Sequence, residues 1–112
     1  MTESMGNTPS PRPITAQDKQ LYKEEYHHGV DLFKRALNEY STADEVHKKD
    51  AFREVMDRAL QVLNDTARGL KRTDLLAQNS KIREDFDSYQ ASQKDTEKTQ
   101  LVKDLDQADK SV

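Results

Sequence analysis

Glu24, Glu25, Tyr26, His27 and His28 form the densest group of potentially reactive side chains in this 112-residue chain. Glu25 and His28 are three residues apart and so share one face of a helix, and Glu-x-x-His is the spacing used by carboxylate-bridged di-metal bundles. Such a centre needs a second copy of the motif and two further inward carboxylates. No second copy is present: Asp44 and His47 have the spacing, but with Asp in place of Glu and at the start of a helix. His28 also falls outside the apolar seam of its own helix. The pair therefore reads first as a solvated polar face, and a metal-binding helical protein using Glu25 and His28 is kept as a second reading.

Other chemistries are poorly served. Acid, base or nucleophilic catalysis needs a nucleophile or a titratable pair held in a pocket by a rigid shell. No nucleophile motif and no phosphate-cradling loop occurs among the three glycines. The absence of cysteine removes disulfides, thiolate zinc sites and redox thiols. The expectation is a non-enzymatic protein with no cofactor and no small-molecule substrate, in which His27 and His47 are ordinary surface residues. The net charge of -3 disfavours a sequence-independent grip on nucleic acid, which depends on neutralising phosphates with many cations. A small DNA-binding regulator with Lys48, Lys49 and Arg53 as its basic edge is the third reading.

The elements that must position these groups are helices. Leu, Ile, Val and Phe make up 21 of 112 residues, close to the ~20% at which disorder becomes the default. These residues are nevertheless concentrated between Tyr22 and Tyr89 at helical spacing. In the first helix Tyr26, Val30, Phe33, Leu37 and Tyr40 recur at steps of four and three, flanked by Tyr22 and Ala36. Thr15 is placed to cap its start, with Asp18 at the third helical position. Gly29 lies on the edge of the seam and costs a helix about 1 kcal/mol relative to Ala.

The widest apolar arc lies between Ala51 and Leu70. Phe52, Met56, Ala59, Leu63 and Leu70 form its seam, and Val55, Leu60, Val62 and Ala67 widen it on both sides. A stripe that broad is covered only by two or more neighbouring elements, which makes this the central helix. Thr42 and Glu45 have the spacing of a capping box at its start, and Gly69 supplies a left-handed stop at its end. The connection from the first helix is short, so the two are expected to fold back as an antiparallel hairpin. A third helix offers the narrower stripe Leu75, Ile82, Phe86 and Tyr89, with Asn79 at a position where an apolar residue would continue it.

The expected fold is thus all-α: an antiparallel helical hairpin plus a third helix, with helices at about 15–40, 43–69 and 74–90. Residues 1–14, with Pro9, Pro11 and Pro13, read as a disordered arm. Residues 91–112 read as a polar tail with a possible short helix from Leu101 to Ala108. With no basic flank, no early apolar run and no long apolar stretch, neither a secretory signal nor a membrane span is expected, and the protein is expected to be cytoplasmic.

The run Gly29, Val30, Asp31, Leu32, Phe33, Lys34, Arg35, Ala36 and Leu37 resembles the second helix of a tetratricopeptide repeat and the middle helix of a microtubule-interacting and trafficking domain. No internal repeat of about 34 residues accompanies it. The resemblance implies only that such a helix belongs in an interaction scaffold. The leading functional expectation is therefore a helical protein–protein interaction module: an adaptor, a complex subunit or a small chaperone. Helix two carries more apolar surface than helix three can cover, leaving a face for a partner or for a second copy. The residues expected to carry it are Val55, Leu60 and Val62, with Tyr22, Tyr26 and Tyr40 at the hairpin rim.

Overall fold

The computed structural model describes residues 15–112, so the expected arm at 1–14 lies outside the described residues. The chain is all-helical there: α1 spans Ala16–Thr42, α2 Val46–Gly69, α3 Thr73–Ser92 and α4 Asp95–Ser111. The expectation of three helices is corrected to four. Among the described residues, no helix is long and apolar enough to cross a membrane.

The fourth helix, Asp95–Ser111, lies in the segment expected to be a polar tail with a possible short helix, and it is longer than the expected stretch from Leu101 to Ala108. Leu101, Leu105 and Ala108 are fully buried, and all belong to the apolar core. Those few apolar residues are too short a stripe to hold a helix in water by themselves. Packing against α3 and α1 supplies what the isolated segment lacks.

Each helix is followed by a short connection and packs against the next, and α4 closes the ring by returning to α1. Side-chain pairs show that neighbours are antiparallel. Between α1 and α4, His27 meets Asp109, Lys34 meets Asp106 and Lys98 meets Ser41, so one helix ascends as the other descends. Between α2 and α3 the order is likewise reversed, with Asp57 to Arg83 and Asn64 to Asn79. The backbones of α1 and α2 approach along most of their length, and the expected hairpin is present; α1 and α4 meet more sparsely, largely through polar pairs.

Across the bundle, α1 and α3 touch through their aromatic rings. Phe33 meets Phe86 edge to face at 5.3 Å, and Tyr40 meets Tyr89 at 5.8 Å. Such pairs contribute about 0.5–1.5 kcal/mol beyond the area they bury.

Helix ends differ in detail from the expectation. Thr15 does cap α1, in a capping box with Asp18. Thr42, however, still belongs to α1, where its hydroxyl donates to the Asn38 carbonyl, and α2 begins after Glu45 with no side-chain cap. Gly69 is the last helical residue of α2, and the left-handed position falls to Lys71, with φ 57°. Arg72 N–H donates to Ala67 O and Lys71 N–H to Arg68 O, a Schellman closure built around a lysine. Gln93 takes the same backbone conformation after α3, with φ 57° and its N–H donating to Tyr89 O at 2.7 Å.

Candidate interaction surface

The α1–α2 contact is set by two glycines. A Cβ on Gly29 would stand 2.9 Å from Leu63 Cδ2, closer than a real Cβ sits, and a tight 3.3 Å from Val62 Cγ1, so α2 packs closely over the missing side chain. A Cβ on Gly69 would stand 2.6 Å from the Tyr22 ring, which lies against the glycine backbone. Val62, beside Gly29, is 36% exposed. Val55, two turns earlier on the same face of α2, is half-buried, as is Leu32 one turn beyond Gly29 on α1. Towards the other end Tyr22 is half-buried and Leu21 is 54% exposed, and Asp18, Leu21, Tyr22 and Glu25 line a shallow hollow.

Of the six residues expected at a partner surface, the structure places three inside the monomer. Leu60 is 2% exposed and Tyr26 and Tyr40 are 0% and 6%, and it is α3 that meets the two tyrosines, through Asn79 and Tyr89. Burial also pushes the Tyr26 phenol above its ordinary value, with the Asp109 charge adding to the effect. Its hydroxyl donates to Asn79 Oδ1 at 2.6 Å. The Tyr40 hydroxyl accepts from Gln93 Nε2 at 2.7 Å. Val62 stays at the surface beside Gly29, while Val55 and Tyr22 are half-buried, Tyr22 against Gly69 at one end of the helix pair and Val55 two turns from Val62 towards the other.

The other candidate groups are dispersed. Glu25 and His28 both lie on the exposed side of α1, and among the described residues no group of three or more potential ligands could hold a metal ion. His27 Nδ1 lies 2.6 Å from Asp109 Oδ1 and so ties α1 to α4, while His47 faces Glu45 at 3.4 Å. The basic edge is engaged locally. Lys48 pairs with Glu45 and Arg53 with Asp50, while Lys49 donates to Tyr40 O at 2.8 Å and sits over the Tyr40 ring.

Leu21 and Leu32 were missed as surface candidates. They lie eleven residues apart, three helical turns, on the side of α1 that leads away from the Tyr26 to Tyr40 seam. That spacing was visible in the sequence but was outweighed by the stronger seam. No known protein family, curated protein or solved structure matches this chain.

Proposed function

We propose that the protein is a helical interaction module whose contact surface is the outer side of the α1–α2 seam, centred on Val62. One observation carries this reading: apolar side chains from two helices, Leu21 and Leu32 on α1 and Val55 and Val62 on α2, stay wholly or partly exposed along a single seam. Most of the broad apolar arc of α2 is spent on the monomer core, with Met56, Ala59, Leu60, Leu63 and Ala67 buried. What remains outside is a narrow strip flanked by charged residues, the composition of a contact patch with a polar rim.

Capture from native cells tests this reading. Wild-type bait and bait carrying Glu84→Lys, a change on the exposed side of α3, are expected to retain the same partner. Bait carrying Val62→Asp, folded by circular dichroism, is expected to lose it. Retention of every partner by the Val62→Asp bait contradicts the proposal.

A further inference from the structure

Two neighbouring helices each bury a carboxylate oxygen that finds no donor. Among the described residues, Asp85 Oδ2 on α3 and Asp104 Oδ2 on α4 are the buried side-chain atoms without a hydrogen-bond partner. Asp104 is 4% exposed and is the only buried acid among the described residues. Its other oxygen, Oδ1, accepts from Gln100 Nε2 at 3.0 Å. A buried oxygen left without a donor costs free energy, and it costs most when it carries charge.

The two acids lie on one seam. Gln78 Nε2 donates to Asp104 O at 3.5 Å and the Ser92 hydroxyl donates to Glu97 Oε1 at 2.5 Å, contacts that mark two levels of the antiparallel α3–α4 pair. Gln78, Asp85 and Ser92 are spaced by seven, close to two turns, and so share a face of α3; Glu97 and Asp104 share a face of α4 in the same way. Asp85, midway between the two contacts on α3, therefore stands level with Gln100 and Leu101, one turn from Asp104. Side chains lean towards the N-terminus of their own helix. In an antiparallel pair that lean carries Asp85 and Asp104 towards each other.

We propose that Asp104 keeps its proton in the folded chain at neutral pH and donates it from Oδ2 to Asp85 Oδ2, a proton-operated latch between α3 and α4. One proton then satisfies both unpaired atoms, and two carboxylates at one site do not both have to ionise. Lys81 Nζ, 3.8 Å from Asp85 Oδ2, places the remaining charge on Asp85. The other charges nearby are engaged elsewhere. One turn to either side of Asp104 on α4 stand Gln100, Leu101, Gln107 and Ala108, all uncharged, and Lys103 is exposed. From α1, Lys34 meets Asp106 and His27 meets Asp109, which lie about 200° and 140° around α4 from Asp104 at 100° per residue.

The latch has a defined sign. An aspartate in the unfolded chain loses its proton near pH 3.9. Asp104 holds its proton to higher pH when folded, so its contribution to stability is complete below that value and is lost as pH rises through the folded-state value. Acid therefore fastens α4 and alkali loosens it. The Lys34–Asp106 and His27–Asp109 pairs respond in the opposite sense, but as half-exposed ion pairs they hold little energy.

Carbon-13 NMR of the aspartate carboxyls in the full chain reads the proton directly. The Asp104 signal is expected at its protonated position at pH 6, about two units above the ordinary aspartate value. Asp85→Asn, which offers Asp104 an N–H donor in place of a proton acceptor, is expected to move the Asp104 titration to lower pH. Urea unfolding supplies a second readout. Asp104→Asn keeps the acceptor for Gln100 and sets an N–H donor where the O–H stood. Between about pH 5 and 7 the unfolding constant of the wild type is expected to rise relative to that of Asp104→Asn by up to about tenfold per pH unit, the limit for one proton. An ionised Asp104 signal at pH 6, with Oδ2 satisfied by solvent, overturns the latch, as does a pH slope that Asp104→Asn leaves unchanged. An Asp104 titration unmoved by Asp85→Asn overturns the pairing with Asp85. The wild-type signal decides the point even where Asp104→Asn fails to fold.

Discussion

The hydroxyl of Tyr26 donates to Asn79 Oδ1 at 2.6 Å across the diagonal of the bundle, and Asn79 Nδ2 in turn donates to Asn64 Oδ1 at 3.1 Å. One buried amide therefore links α1, α2 and α3 and fixes their relative register. A buried polar group costs free energy unless paired, so this link disfavours any register in which Asn79 faces apolar side chains.

Tyr26→Phe removes the donor and leaves Asn79 Oδ1 short of a partner. It is expected to destabilise the protein by about 1–3 kcal/mol in urea unfolding. Combining it with Asn79→Leu is expected to cost less than the sum of the single changes, because the orphaned acceptor disappears. Strict additivity would show that the bond does not couple the two helices.

Burial raises the Tyr26 and Tyr89 phenols above their ordinary value of 10.0. For an acid whose charged form is disfavoured in the folded state, the unfolded chain loses its proton first. The stability contribution is therefore complete below pH 10 and declines as pH rises towards the folded-state value. Urea midpoints are expected to fall with increasing pH above about 10, and Tyr26→Phe is expected to flatten that slope. An unchanged slope would contradict the assignment to Tyr26.

Gly69 and Lys71 make opposite predictions at one helix end. Alanine favours a helix by about 1 kcal/mol over glycine, yet Gly69→Ala is expected to destabilise because its Cβ would meet the Tyr22 ring at 2.6 Å. Removing the ring with Tyr22→Ala should reverse the sign of Gly69→Ala. Lys71→Gly places glycine at φ 57° and is expected to stabilise by up to about 1 kcal/mol, read as a higher thermal midpoint.

The first three helices were legible from periodicity, because each carries a long apolar stripe. The fourth was legible only as a possible short helix from Leu101 to Ala108, because its few apolar residues mark neither its start nor its packing, and their partners lie on other segments. The same limit applies to the contact surface. Sequence alone made Leu60, Tyr26 and Tyr40 look available because the stripe of α3 read as too narrow to cover them, whereas Asn79 and Tyr89 of α3 meet Tyr26 and Tyr40 directly. Asn79 was recognised as an interruption of the α3 stripe, but its two partners, 53 and 15 residues away, left no local trace. Gly69 was recognised as a stop signal, whereas its place is fixed by a ring from α1.

Helix α4 belongs to the folding unit. Deleting residues 95–112 exposes the surfaces that cover Leu101 and Leu105, both fully buried. The truncated chain is expected to lose cooperative thermal unfolding. Leu105→Asp should be far more damaging than Val102→Asp, since Val102 is only half-buried. A truncated chain that melts as sharply as the full one would show that α4 is an appendage.

The outer α1–α2 strip is tested most directly by placing a photo-crosslinking amino acid at position 62, and separately at position 84, in the protein within its native cell. The expected result is a discrete adduct from position 62 and none from position 84. Adducts from position 84 with none from position 62 would contradict the assignment of the contact surface to the α1–α2 strip.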